Sequence, residues 1–337
     1  MAENQIHNVI IIGSGPAGLT AALYTARAEL SPVLIAGQEP GGQLMRTSEV
    51  ENFPGFPKGI LGPELMDNMM KQVERFGTKI MQENVESVDF FAKGGSASGG
   101  KNKQLFTVKT NKAEYKGKSV IIATGASANW LNLPNEQRLR GKGVSACATC
   151  DGFFFKGKDV VVVGGGDSAM EEATFLTKFA SKATIIHRRE VLRASKIMQR
   201  KVEANPKIEF IFNSEVIDVL GKDSVEGVKI KNIQTGEKSE IKAQGMFLAI
   251  GHTPNTKIFA EAGIEVDKKG YIVIKNQTYS NIEGVFVAGD VQDYRYRQAV
   301  TAAGMGCMAA LDVEKYLAEI GDGPAASAEA HWTARKT

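Results

Sequence analysis

An α/β fold of two Rossmann-like dinucleotide-binding domains, the second inserted into the first, is predicted by three features of the sequence. A β-branched run, a glycine turn and a helix-period segment follow one another at 9–26, and the same succession recurs at 159–179. The apolar run Ile121-Ile122-Ala123-Thr124-Gly125 is echoed by Leu248-Ala249-Ile250-Gly251. A further apolar strand, Gly284 to Asp290, lies beyond the second of these, so the first domain resumes after the second.

The elements follow in chain order. Val9 to Ile12 is a short β-branched run that ends in glycine, which predicts a buried strand turning sharply. Leu19, Ala22, Leu23 and Ala26 then recur with helical spacing, and Val33 to Ala36 returns as a strand. Residues 37–63 are loop-rich, and Glu64 to Phe76 is a Met-rich helix. The low-complexity segment 92–104 suits a hairpin loop rather than a linker. In the second succession Asp159 to Val163 is the strand, Gly164 to Gly166 the turn, Asp167 to Phe179 the helix and Thr184 to Ile186 the returning strand. Hinges are expected near 123–127 and 251–256. Residues 321–337 lack an apolar face and read as a frayed tail.

Composition narrows the function classes. The 337 residues are 43% hydrophobic and 23% charged, ordinary for a folded globular chain. A net charge of +3 is too small for a nucleic-acid or membrane-binding surface. No apolar run approaches the ~20 residues of a membrane span, and the polar start, Met1 to Asn8, has no secretory pattern. Four histidines are scattered without ligand spacing, so no metal site is expected. Three cysteines are too few, and odd in number, for an extracellular scaffold. The expectation is an intracellular protein with one candidate redox pair.

The glycines carry the first chemistry. Gly13, Gly15 and Gly18 fit G-x-G-x-x-G between strand and helix: the first permits the turn, the second lets backbone approach a pyrophosphate, and the third lets helix pack on strand. Gly164, Gly166 and Ala169 repeat the pattern, so two dinucleotides are expected. After the second returning strand come His187, Arg188 and Arg189, with Arg193 shortly after. Arginine at that place accommodates a ribose 2′-phosphate, which points to NADP(H), although a solvated basic patch would read the same way. The first site has Ala36 and Gly37 where an acid would bind a ribose, which weakens NAD and leaves FAD open. Asp290 either bonds a cofactor polyol or caps the next segment.

Cys147-Ala148-Thr149-Cys150 brings two sulfurs close enough to close a small ring and can depress a thiol pKa. An inert pair is the alternative. Asp151 follows, as a proton donor and acceptor or as a turn cap. Cys307, in an apolar helical stretch, reads as a core residue.

Taken together, Gly13 to Gly18, Gly41-Gly42-Gln43-Leu44, Glu49-Val50-Glu51-Asn52, Ala123 to Ala126, Cys147 to Gly152, Gly164 to Ala169, His187-Arg188-Arg189, Ile250-Gly251-His252, Ala288-Gly289-Asp290 and Arg297-Gln298-Ala299 resemble, in order and spacing, the bacterial low-molecular-weight NADPH-dependent thioredoxin reductases. The resemblance runs from Asn8 to about Leu317. It implies an FAD-binding domain of 1–124 and 254–337, and an NADPH-binding domain of 125–253 that carries the cysteines. It implies that Gly13, Ser14, Gly15, Pro16, Ala17 and Gly18 hold the FAD pyrophosphate. Gln43, Asn52, Val85, Ala123, Thr124, Gly125, Gly289, Asp290, Arg297, Gln298 and Ala299 would complete that cofactor's set. Gly166, Asp167 and Ser168 would meet the NADPH phosphates, and His187, Arg188, Arg189 and Arg193 the 2′-phosphate. Cys147, Cys150 and Asp151 would be catalytic, passing reducing equivalents from NADPH through FAD to thioredoxin, in a cytoplasmic homodimer with no nucleic-acid or membrane partner. Two rivals share features of the sequence. One is the reductase of a peroxide-detoxifying system, whose usual N-terminal extension is not seen before Val9; the other is a non-catalytic flavin sensor, which needs neither the cysteine pair nor the arginines.

Overall fold

The computed structural model describes residues 5–47, 49–91 and 105–322. The low-complexity segment 92–104 and all but the first two residues of the tail lie outside them. The chain divides into two compact units, one of residues 1–49, 53–127 and 254–337, the other of 50–52 and 128–253. The expected first boundary, after 124, thus falls three residues later, and the strands Ala126–Ala128 and His252–Pro254 that carry the two crossings pair with each other.

The first unit is built on a seven-stranded sheet. Its central strand, Ile6–Ile12, lies parallel to Val33–Ile35 on one side and to Glu114–Ile122 on the other. Val285–Val287 joins parallel to Glu114–Ile122, so the chain beyond the second crossing does return to this sheet. Successive side chains of a strand face opposite ways. Val9 and Ile11 therefore enter one core, with Leu19, Ala22, Ala309, Val313 and Leu317, and Ile10 and Ile12 enter another, with Phe90, Phe106 and Phe259. A strand buried on both faces has to be apolar throughout, which is why it reads as an unbroken β-branched run.

Helix Pro16–Arg27 begins on a proline, whose missing N–H costs nothing in a first helical turn. The helix Ala299–Glu319 lies against it. The approach is close at Gly306, where an added Cβ would sit 2.1 Å from the Ala17 carbonyl oxygen. The Met-rich helix spans Gly62–Arg75, starting two residues before its expected Glu64 because Pro63 suits its first turn.

The second unit has a five-stranded parallel sheet in the order Val144–Ser145, Gly245–Leu248, Asp159–Val163, Lys182–Ile186, Ile208–Ile211. Val160 and Val162 face one core and Val161 and Val163 another. The helix after its glycine turn, Asp167–Leu176, stops before the expected Phe179: the chain tightens there, with the Phe179 N–H donating to Leu176 O at 2.9 Å. A three-stranded antiparallel sheet, Ser214–Leu220, Gly227–Asn232 and Lys238–Lys242, follows.

Candidate active site

In the first unit the glycine turn is set by packing. Gly13 has φ +111°, and a Cβ there would lie 2.3 Å from Ala123 O; a Cβ on Gly18 would lie 1.8 Å from Gly13 O. Around Gly15 the added atom would meet nothing. The first and third glycines are thus fixed by the protein, and the middle one leaves space at the helix start where an anion would lie. Ser14 is buried and spends its hydroxyl on the fold, donating to Ala36 O at 2.9 Å and accepting from the Gly41 N–H at 3.0 Å. Pro16 and Ala17 open the helix itself.

The residues expected around this turn are held by specific bonds. Gln43 donates to Ala126 O. Ala123 N donates to Ile12 O at 2.8 Å, Thr124 Oγ1 donates to Asn255 O at 2.8 Å, and Asn255 N donates to Gly125 O at 3.0 Å. Val85 is half-buried at the start of its strand, opposite Thr110. Gly289 stands over Ala17, where a Cβ would come within 2.9 Å of the Ala17 methyl. After it, Asp290 has Oδ1 buried without a hydrogen-bond partner among the described residues. Burial first, then the neighbouring Asp293, pushes its carboxyl up to about 7, against a smaller opposing pull from Arg297. Asp293 accepts from the N–H groups of Arg295, Tyr296 and Arg297, and Gln298 donates to Tyr296 O and Arg297 O ahead of helix residue Ala299. Asn52 alone of this set falls in the stretch grouped with the second unit.

In the second unit Gly166, like Gly15, faces open space, and Asp167 and Ser168 are exposed at the helix start. Arg188, Arg189 and Arg193 are exposed, and none is in an ion pair among the described residues. Their loop is tied to the glycine turn. Arg193 N and Ala194 N donate to Gly165 O at 2.7 and 3.1 Å, and Ser195 N donates to the Asp167 carboxylate at 2.8 Å. His187 differs from the arginines: it is 5% exposed and bonded through Nε2 to Val191 O at 3.2 Å.

Also in the second unit, Cys147 and Cys150 are joined by a disulfide at the single helical turn Ala148–Asp151. Both are half-buried, and Thr149 Oγ1 lies 3.3 Å from Cys147 Sγ. Burial raises the Asp151 carboxyl above its usual value, opposed by a hydrogen bond from Ser145. Ser145 Oγ also accepts from Cys147 N at 3.0 Å. The sequence reading missed Ser145; its signal is a hydroxyl two residues before the first cysteine, a spacing that favours such a local bond. Cys307 departs from the expected core position: it is half-buried, and its thiol beside the Tyr24 hydroxyl is the largest cause raising that phenol above its usual value.

A model of the family described as pyridine nucleotide-disulphide oxidoreductase matches residues 7–306. A thioredoxin reductase of Streptomyces coelicolor is 52% identical over 322 residues, 95% of this chain and 96% of its own. One from Rickettsia felis is 54% identical over 314 residues, 92% of this chain and 97% of its own. The crystal structure of thioredoxin reductase from Streptococcus pyogenes superposes with a TM-score of 0.87 at 41% identity, covering 94% of this chain and all of that one. The chain belongs to the pyridine nucleotide-disulphide oxidoreductases, enzymes that use a flavin and a pyridine nucleotide. Within that family it belongs to the thioredoxin reductases.

Proposed function

We propose that this enzyme is an NADPH-dependent, FAD-containing reductase of a thioredoxin, working as a cytoplasmic homodimer without nucleic-acid or membrane partners. The observation that carries the reading is the Cys147–Cys150 disulfide, with its half-buried carboxyl and bridging serine, on the unit that also holds the arginine loop. FAD fits the first unit, with Gly13 to Gly18 at its pyrophosphate and the orphaned Asp290 Oδ1 accepting from a hydroxyl of its polyol. Gln43, Asn52, Val85, Ala123, Thr124, Gly125, Gly289, Arg297, Gln298 and Ala299 complete the proposed set. NADPH fits the second, with Gly166, Asp167 and Ser168 at its phosphates and Arg188, Arg189 and Arg193 at the 2′-phosphate. No described helix is long and apolar enough to cross a membrane.

Bound flavin supplies the two-electron relay between nicotinamide and disulfide. The chain's own residues do the rest. Two electrons and two protons convert the Cys147–Cys150 disulfide into two thiols. One, as thiolate, attacks the disulfide of the partner and forms a mixed disulfide; the second displaces it, restoring the Cys147–Cys150 bond and leaving the partner as a dithiol. Asp151 holds a proton more readily than an exposed aspartate and hands it to, or takes it from, the sulfur that must change state. The test is NADPH oxidation with oxidised thioredoxins and glutaredoxins as acceptors. Turnover with a thioredoxin, absent in Cys147→Ser and Cys150→Ser, is expected; turnover with neither acceptor class would refute the reading.

A further inference from the structure

We propose that His187 is a positioning residue for NADPH selection, a buried clasp that shapes the arginine loop and makes no contact with the 2′-phosphate. The proposal rests on the reading that this loop takes that phosphate.

Three observations carry it. First, access: His187 is 5% exposed, whereas Arg188, Arg189 and Arg193 are all exposed. A group that meets a phosphate has to present a donor, and the ring presents none outward. Second, among the described residues the one polar contact of Nε2 is the Val191 carbonyl, at 3.2 Å. A carbonyl only accepts, so Nε2 carries the hydrogen and is spent inside the loop. That bond closes the chain from 187 to 191 and turns it back toward the glycine turn. Third, the ring lies on Gly165: a Cβ there would fall 2.3 Å from its Cε1 and Nδ1. The carbonyl of Gly165 takes the N–H groups of Arg193 and Ala194. The imidazole is therefore packed between the glycine turn and the loop, and it joins the element at the nucleotide phosphates to the element that bears the arginines.

Charge points the same way. The ionised groups facing the ring are Arg188, Arg189 and Arg193, and with burial as the largest cause they hold it below its usual value. A fourth cation beside three guanidiniums would be repelled; a neutral donor is not. Position 165 consequently has no room for any side chain while the imidazole is in place.

The experiment uses the flavin-loaded full-length enzyme with histidine labelled in 15N. Adenosine 2′,5′-bisphosphate and 5′-AMP, which differ only in the 2′-phosphate, are titrated into wild type, His187→Gln, His187→Ala and Arg188→Ala, and amide exchange is followed at Arg193 and Ala194. The expected result is a His187 signal of the neutral Nε2–H form, unchanged by the bisphosphate at pH 7.5. His187→Gln, whose side-chain amide still donates to Val191 O, keeps the preference for the bisphosphate within about 3-fold. His187→Ala loses roughly 10-fold of it together with protection at Arg193 and Ala194, because binding then has to order the loop. Arg188→Ala loses at least ~10-fold with that protection intact. A His187 ring that gains a proton on binding the bisphosphate would overturn the proposal, as would a loss in His187→Gln with both amides still protected. A wild type that does not prefer the bisphosphate would instead refute the 2′-phosphate reading, while the ring's protonation state and the exchange of the two amides still judge the clasp.

Discussion

Asp290 and Asp151 are both carboxyls moved upward by burial, yet they predict different pH behaviour. Asp290 has an ordinary value of 3.8 when unfolded and about 7 when folded, so the native state binds its proton more tightly. Its contribution to stability is whole below 3.8 and is lost as pH rises through about 7. At ~1.4 kcal/mol per unit the loss has a ceiling of roughly 4 kcal/mol. Flavin-free protein should therefore lose Tm between about pH 4 and 7. Asp290→Asn should flatten that slope, and so should bound flavin if a hydroxyl donates to Oδ1. A slope identical in all three would remove Asp290 from the cofactor site. Asp151 is held in check by Ser145, whose hydrogen bond favours the carboxylate. Ser145→Ala should move the pH dependence of kcat/KM for thioredoxin toward alkaline pH. An unmoved profile would mean that this carboxyl does not set the rate.

At the scale of elements, the contact between Pro16–Arg27 and Ala299–Glu319 couples stability to the first glycine turn. Gly306→Ala presses a methyl onto the Ala17 carbonyl. Overpacking of this kind costs about 1–3 kcal/mol. At roughly 2–4 °C per kcal/mol the melting temperature should fall by several degrees, with weaker flavin retention. Full retention at an unchanged Tm would show that the helices slide apart at no cost. The arginine loop gives a second test. Each charge-assisted bond to a 2′-phosphate contributes ~1.5–3 kcal/mol, so Arg188→Ala/Arg189→Ala should lower kcat/KM for NADPH by about 10²–10⁴-fold and leave NADH nearly unchanged. Added salt should erode the wild-type preference. An equal loss for both nucleotides would assign these arginines to the fold. Elements were legible in the sequence where burial is complete. Val9 to Ile12 and Asp159 to Val163 are apolar on both faces, and their glycine turns punctuate them. The antiparallel sheet of the second unit was not legible, because Lys238–Lys242 is largely exposed and its charged residues break the apolar pattern. Nor does sequence distinguish His187 from Arg188 beside it: one is turned inward and the other outward by a loop whose bonds come from residues far along the chain.

For the whole molecule, the organisation into two interrupted units follows from the repeat of strand, glycine turn and helix, and from the return of Val285–Val287 to the first sheet. The first crossing, after Ser127, lies at the end of the expected hinge 123–127, but the strand there was not legible, since Ala126–Ala128 is strand through its pairing with His252–Pro254 rather than by its own composition. That pairing has a consequence for how the gene can be cut. Neighbouring strands run ~5 Å apart, so the inserted segment leaves and re-enters the host at nearly one point. A few flexible residues joining 127 to 254 should span the gap left by excision. The shortened chain should fold around its own sheet, turn yellow with FAD, and reduce no disulfide. A shortened chain that aggregates, or folds colourless, would mean that the host borrows its integrity from the guest, and that the two had long ago ceased to be separable modules.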